Sequence, residues 1–422
     1  MSQNPGTIVS EVMVLRSFDP SSVAFLTDPY PVYEYLRQHD PFAEVEIAGV
    51  SISLVARYDD VRRVLKDPQA MQRPLHGDVP EILGDGPAAR MFISSMSQAD
   101  PPQHARQRRL SAAAFSPRAV AALQGRIDAI VAGAVNDLVR RERFDAVHDF
   151  ALKIPMRVIC EIMGIPEDDW PELIGWTPDA LRVFMPEGST SDELDRCHRA
   201  SQFFFDYISA MIEDRRRSPR DDLTTRLVEA NDEAENISHD EMCAMIRGLI
   251  TAGFETTTNT IAAGFLAFAK FPDQLELLRS EPQVVESAVE ELLRWEGPVQ
   301  AQPRCMHTEI EFADGERFEA GRKFWLLLGS ANRDRSQFDN PDVVRIDRNE
   351  GDHFSFGGGR HICLGAGLAR SEIRSALRHI GRAFSAIELD GPIQRRDHFQ
   401  FRGLAHLPVS VTWAPEPVGS GT

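Results

Sequence analysis

Apolar residues recur at three- and four-residue steps over Val120–Val139, Phe203–Arg216, Asp240–Lys270 and Gln283–Trp295. That spacing lines one face of a helix, so each stretch is predicted helical. Period-two alternation of β-branched and aromatic residues is confined to Ser51–Val55, Glu309–Phe312, Lys323–Leu328 and Pro408–Trp413, bounded by glycine, proline or charged turns. The pattern predicts a mainly α fold with small β-sheets. Asp240–Lys270 runs about thirty residues without proline, longer than most globular helices, and is expected to cross the molecule as a buried spine. Its interior opposes helical propensity, because Gly253 is followed by Thr256, Thr257, Thr258, Asn259 and Thr260. Something other than propensity selected that run.

With 422 residues, 42% of them hydrophobic, the chain can bury a large core. Neither an internal repeat nor a low-complexity block interrupts it, and a single domain over 1–422 is expected, with about 1–15 and 415–422 flexible. Lys and Arg total 46 against 64 Asp and Glu, and the net charge of -18 argues against general binding to nucleic acid or anionic membrane. Cys160, Cys197, Cys243, Cys305 and Cys363 are odd in number and form no C-x-x-C pair, which suggests neither a disulfide framework nor a zinc knuckle and fits a reducing cytoplasm. The best apolar run, Ile261–Ala269, is too short to span a bilayer, and the N-terminus carries no basic leader. A cytoplasmic monomer is expected.

The strongest chemical signal is Phe356-Gly357-Gly358-Gly359-Arg360-His361-Ile362-Cys363-Leu364-Gly365, followed at once by a predicted helix, Ala366–Phe384. A lone cysteine is most often a buried small hydrophobe, and that reading covers the other four. Around Cys363 the glycines allow close backbone approach to something flat, and N–H groups aimed at the sulfur would stabilise a thiolate. A thiolate suits the axial position of haem iron.

Phe356, Gly359, His361, Cys363 and Gly365 match F-x-x-G-x-[R/H]-x-C-x-G, and here the sequence resembles the cytochromes P450. The resemblance implies a triangular, helix-rich prism with haem b between the long central helix and the Cys loop, Cys363 being the axial ligand. Glu291-Leu292-Leu293-Arg294 is similar to the family's E-x-x-R, a structural ion pair completed by an Arg or His further on. Ala252-Gly253-Phe254-Glu255-Thr256 resembles the oxygen-binding motif A-G-x-[D/E]-T, which assigns proton delivery to Glu255 and Thr256 and close approach to Ala252 and Gly253. Asp100-Pro101-Pro102-Gln103-His104 with Arg108 resembles D-P-P-x-H-x-x-x-R, so His104 and Arg108, together with Arg304 and His361, are expected to hold the haem propionates. Phe356, Gly357 and Gly365 complete the expected cofactor set. Ala331-Asn332-Arg333-Asp334, Phe338 and Pro341 are similar to a bacterial A-N-R-D segment, with Arg335 in place of its usual proline and hence a local change of turn.

The activity implied is insertion of one oxygen atom from O2 into a C–H bond of a small to medium, mainly apolar organic substrate. Pocket walls are expected from Met71–Phe92, Leu181–Met185, Gly248–Ala252, Val299–Gln302 and Phe399–Leu404, and a carboxylate substrate would be clamped by Arg73, Arg90 or Arg182. No flavin or nicotinamide fingerprint is visible, so electrons are expected from an acidic ferredoxin with a separate ferredoxin reductase, docking on Arg106, Arg109, Arg360, Arg374 and Arg378. Two other readings stand beside this one. A peroxygenase or coupling oxidase on the same fold is disfavoured by Glu255-Thr256, and a non-catalytic haem sensor is disfavoured because no signalling module is visible.

Overall fold

Ser238 and Glu241 cap each other, the Ser238 hydroxyl accepting from Glu241 N and the Glu241 carboxylate from Ser238 N, and the long helix His239–Lys270 begins there. The computed structural model describes residues 18–415 except 48, 78, 185, 187, 188, 235 and 236. The two ends expected to be flexible lie outside the described residues, apart from Pro415.

The long helix has 32 residues, about 48 Å at 1.5 Å per residue, and is buried over most of its length. Its second half contributes Ile261, Phe265 and Phe268 to a core shared with Phe144, Phe150, Leu292 and Leu377. Its first half contributes Met242, Ile246, Ile250 and Phe254 to another, shared with Ile159, Phe204 and Ile208. The polar run lies between the two cores. Two of its threonines donate to their own helix, Thr256 to Ala252 O at 3.1 Å and Thr260 to Thr256 O at 3.2 Å, as Thr251 just before them does to Arg247 O at 3.0 Å, whereas the buried Thr258 hydroxyl has no partner among the described residues.

The other expected helices form over Pro117–Asn136, Ser191–Arg217, Val285–Trp295 and Ala366–Ala383. Ser191–Arg217 starts well before Phe203 because Thr190 and Glu193 form a second reciprocal cap. Apolar periodicity misses its first turns, where polar residues outnumber Cys197 and Ala200.

Five strands make a mixed sheet in the order Glu44–Ile47, Val50–Val55, Lys323–Leu327, Ala301–Met306, Ala70–Met71, with only Val50–Val55 and Lys323–Leu327 parallel. Pro408–Trp413 is the centre of a three-stranded antiparallel sheet with Arg143–Asp145 and Phe384–Leu389. Leu328 opens a short helix, Leu328–Ala331, instead of closing the strand, and of Glu309–Phe312 only Ile310–Glu311 pairs, in a two-stranded hairpin. No helix among the described residues is long and apolar enough to cross a membrane.

A buried ion network ties the helical core to the Cys loop. Glu291 receives Arg294 at 2.7 and 2.8 Å and Arg348 at 3.0 and 3.1 Å, all three side chains being buried. Arg348 is the "further" cation that the E-x-x-R resemblance implied. Arg294 also donates to the carbonyls of Asn332 and Pro341, and the Asn332 side chain holds Phe354 N at 2.7 Å and Ser355 Oγ at 2.9 Å. The chain enters the Cys loop immediately after that anchor. Arg335, which replaces the usual proline, is exposed and pairs with Glu34 at 3.3 Å.

Candidate active site

Between Phe356 and Gly365 the loop is closed by its own backbone, with Cys363 N donating to Phe356 O at 2.8 Å and Gly357 N to Phe354 O at 2.7 Å. Gly359 has a φ of +61°, and a Cβ there would stand 2.1 Å from the Leu65 carbonyl oxygen. The glycine therefore serves close approach to protein backbone rather than to a flat ligand. Gly359→Ala is expected to cost at least about 2 kcal/mol and to lower haem content, read from denaturant midpoints and haem absorbance per polypeptide. Unchanged values would show that the Leu65 segment yields freely. Gly357, at φ +69°, turns the chain beneath Gln302.

Cys363 opens into a cavity of about 310 Å³. Cys363 is exposed and lines that space. Burial pushes the thiol pKa up, and the Gly365 N–H and the Arg108 and Arg370 cations work against that rise. Arg370 lies over the Phe356 ring at 4.4 Å and is held by Glu290 through two bonds of 2.7 and 2.8 Å. The other four cysteines are buried, and burial pushes Cys160 to about 12 and Cys197 to about 11, which leaves them as packed thiols.

Four basic side chains from three elements converge at one end of the cavity. His104 and Arg108 come from the helix Gln103–Ala112, Arg304 from the strand Ala301–Met306 and His361 from the Cys loop. The His104 and His361 rings are 4.2 Å apart, and the His361 Nε2 is buried without a hydrogen-bond partner. Arg304 is buried, and among the described residues its guanidinium donates to the Pro303 carbonyl and the Gln302 side chain. Burial first, then the neighbouring arginines, lowers His104 to about 4; burial, Arg304 and His104 lower His361 to about 2, and burial lowers Arg304 to about 10. Asp100, the nearby acid, is occupied by the backbone N–H groups of Gln72 and Arg73 at 3.0 Å each. Crowded donors and cations without an acid of their own fit the two propionates of a haem.

The long helix supplies the opposite wall through Gly248, Leu249, Thr251, Ala252, Gly253, Glu255 and Thr256. A Cβ on Gly253 would meet Ile159 at 2.8 Å, so this glycine also permits close packing of the helix Lys153–Met163. Glu255 is 4% exposed and paired with Arg396 at 2.8 Å. Burial raises its pKa, while Arg396 and Asn259 oppose the shift. Arg396 was not legible in the sequence, because the hairpin that carries it returns to the helix only in three dimensions.

Of the expected walls, Gln72 alone represents Met71–Phe92; Leu181, Phe184, Val299, Gln302, Gln400 and Phe401 also contribute, and Met185 lies outside the described residues. The carboxylate clamp from Arg73, Arg90 or Arg182 is corrected, since none of them lines the cavity. Arg90 pairs with Asp240, Arg182 with Glu193, and Arg73 with the Gln103 side chain and the Ile93 and Gln98 carbonyls. Arg106 is drawn to Glu241 at 3.3 Å, and Arg374 and Arg378 share Glu286, so the expected docking patch is partly neutralised.

The cytochrome P450 family profile matches residues 188–412. The polyketide biosynthesis cytochrome P450 PksS of Bacillus subtilis is 33% identical, with 94% of this chain and 98% of that protein covered. The vitamin D(3) 25-hydroxylase of Pseudonocardia autotrophica is 34% identical over 93% of this chain and 96% of its own length. Among solved structures, P450BioI in complex with an acyl carrier protein carrying hexadec-9Z-enoic acid superposes with a TM-score of 0.86 at 30% identity, covering 93% of this chain and all of that one. With relatives matched nearly end to end and a cysteine loop facing a long helix across one cavity, the chain belongs to the cytochrome P450 family.

Proposed function

We propose that this protein hydroxylates a C–H bond of a small to medium, mainly apolar organic molecule, with electrons from a ferredoxin and ferredoxin reductase, and that the whole chain acts as one haem-binding domain. The observation that carries the reading is the convergence of Cys363, the four basic groups and Thr256 on one cavity. As a cytochrome P450 the protein is an oxidoreductase that takes haem with a cysteine thiolate as axial ligand. Bound haem supplies the redox chemistry by which O2, two electrons and two protons yield an inserted oxygen atom and water.

The side chains divide the remaining work. Cys363 is assigned as the ligand, with His104, Arg108, Arg304 and His361 holding the propionates and Phe356, Gly365, Ala252 and Gly253 shaping the faces of the cavity. Thr256 Oγ1 faces the cavity while bonded to Ala252 O, and rotation of its hydroxyl lets it hold a water and donate a proton. Glu255, buried and favouring the protonated form more than a free carboxyl does, can pass a proton along once it leaves Arg396, whose side chain is 25% exposed and leads outward. The apolar walls keep bulk water from the reacting C–H bond.

Electron delivery is assigned to the Cys-loop side, where Arg109 accompanies the partly neutralised Arg374 and Arg378. Turnover with ferredoxin, ferredoxin reductase and NADH tests this reading; product formation with peroxide alone and none with that electron chain would replace it with a peroxygenase. Thr256→Ala is expected to keep haem loading and substrate affinity while lowering product formed per O2 consumed by about tenfold or more. A variant that stays fully coupled removes Thr256 from proton delivery.

A further inference from the structure

One charged side chain in the same cavity wall has no role in holding haem. Arg247 lies in the apolar first half of the long helix and is 1% exposed. Among the described residues its one hydrogen bond runs from Nη2 to Ser95 Oγ at 3.0 Å, and Ser95 directs its own proton to Met91 O at 2.7 Å. The guanidinium sits over the Phe184 ring at 5.3 Å, while Nε and Nη1 are buried without a partner. No carboxylate among the described residues pairs with it; the one ionisable neighbour is Cys197, a buried thiol whose own pKa is pushed up to about 11. Burial brings Arg247 down to about 10, so it is still a cation at neutral pH. A buried, half-satisfied cation is costly and is matched when an anion with two acceptor oxygens comes within reach of its fork.

We infer that Arg247 anchors a carboxylate of the organic substrate, which makes the substrate class a carboxylic acid with an otherwise apolar body. The inference rests on the monooxygenase reading and narrows it. Arg108 and Arg304, the other arginines in the wall, stand with His104 and His361 at the propionate end. Thr256 lies nine positions along the helix from Arg247, about 13.5 Å along its axis, so the anionic group is held away from the end where oxygen is delivered. Leu181, Phe184, Met245, Leu249 and Val299 line the wall for the apolar body.

The test is binding of decanoic, dodecanoic and 4-butylbenzoic acids, each beside its methyl ester, to haem-loaded protein by calorimetry and by the spin-state shift. Wild type is expected to bind at least one acid about tenfold or more tighter than its ester. Arg247→Leu abolishes that preference by weakening the acid about ten- to a hundredfold while leaving the ester unchanged, and Arg247→Lys retains part of it. Arg247→Leu is also expected to melt no lower than wild type in the absence of ligand, whereas a structural tether to Ser95 predicts a lower melting temperature. Equal affinity for acid and ester, failure of every acid to bind, or a preference that survives in Arg247→Leu overturns the inference. Those results leave the monooxygenase reading standing if the reduced, CO-treated protein shows thiolate-ligated haem; loss of that signature instead strikes the earlier reading.

Discussion

Cys363→Ser is expected to abolish the strongly red-shifted Soret band that reduced, CO-treated wild type shows, and to lower turnover on the order of a thousandfold or more. The variant should still take up haem, because the four basic groups and the two cavity walls do not depend on the sulfur. Serine preserves the loop, whose Cys363 N–H to Phe356 O bond and glycine turns are backbone features. What serine removes is a polarisable ligand: an alcohol is a far weaker acid than a thiol, and although burial raises the Cys363 pKa, the Gly365 N–H, Arg108 and Arg370 oppose that rise. Absorbance of the reduced CO complex reads the ligand directly. A variant that keeps the red-shifted band would mean that another group holds the iron, and the Cys363 assignment would fall with it.

Glu291→Gln should have the next largest effect, a loss of about 3–5 kcal/mol that leaves little soluble, haem-loaded protein. The carboxylate is shared by two buried arginines, Arg294 and Arg348, and also accepts from Arg345 N at 2.9 Å. A neutral amide keeps the volume and strands both cations in the core, which is worse than having neither. The damage should spread toward the Cys loop, because Arg294 positions Asn332 and Asn332 in turn positions Phe354 and Ser355. Denaturant midpoints and haem content per polypeptide measure the two consequences separately. Wild-type midpoints in Glu291→Gln would show the network to be dispensable. The contrast with Arg247 is instructive, since one buried arginine has its acid within the fold and the other, among the described residues, does not.

Hydrophobic spacing set the helical class and placed Pro117–Asn136, Val285–Trp295 and Ala366–Ala383 within a few residues of their ends, since burial of one face is a local periodic property, but it missed the first twelve residues of Ser191–Arg217, whose opening turns are largely polar. The oddity of Gly253 and the threonine run was also visible as a sequence feature, because it contradicts propensity where packing would not explain it. Partners distant in the chain were not. Arg348, Arg396 and Ser95 each complete a site through a contact more than fifty positions from its partner in sequence, and periodicity carries no information about which arginine meets which carboxylate. Arg73, Arg90 and Arg182 looked equally available as clamps, yet each is satisfied elsewhere. Arg247 left a faint trace as a single cation within the apolar segment Met242–Ile250. The sequence by itself determined the helical framework, the family and the cysteine loop, because those reside in local spacing and motif. The tertiary structure decided which charges are matched inside the fold and which face the cavity unmatched, because the cost of a buried charge depends on every element packed around it.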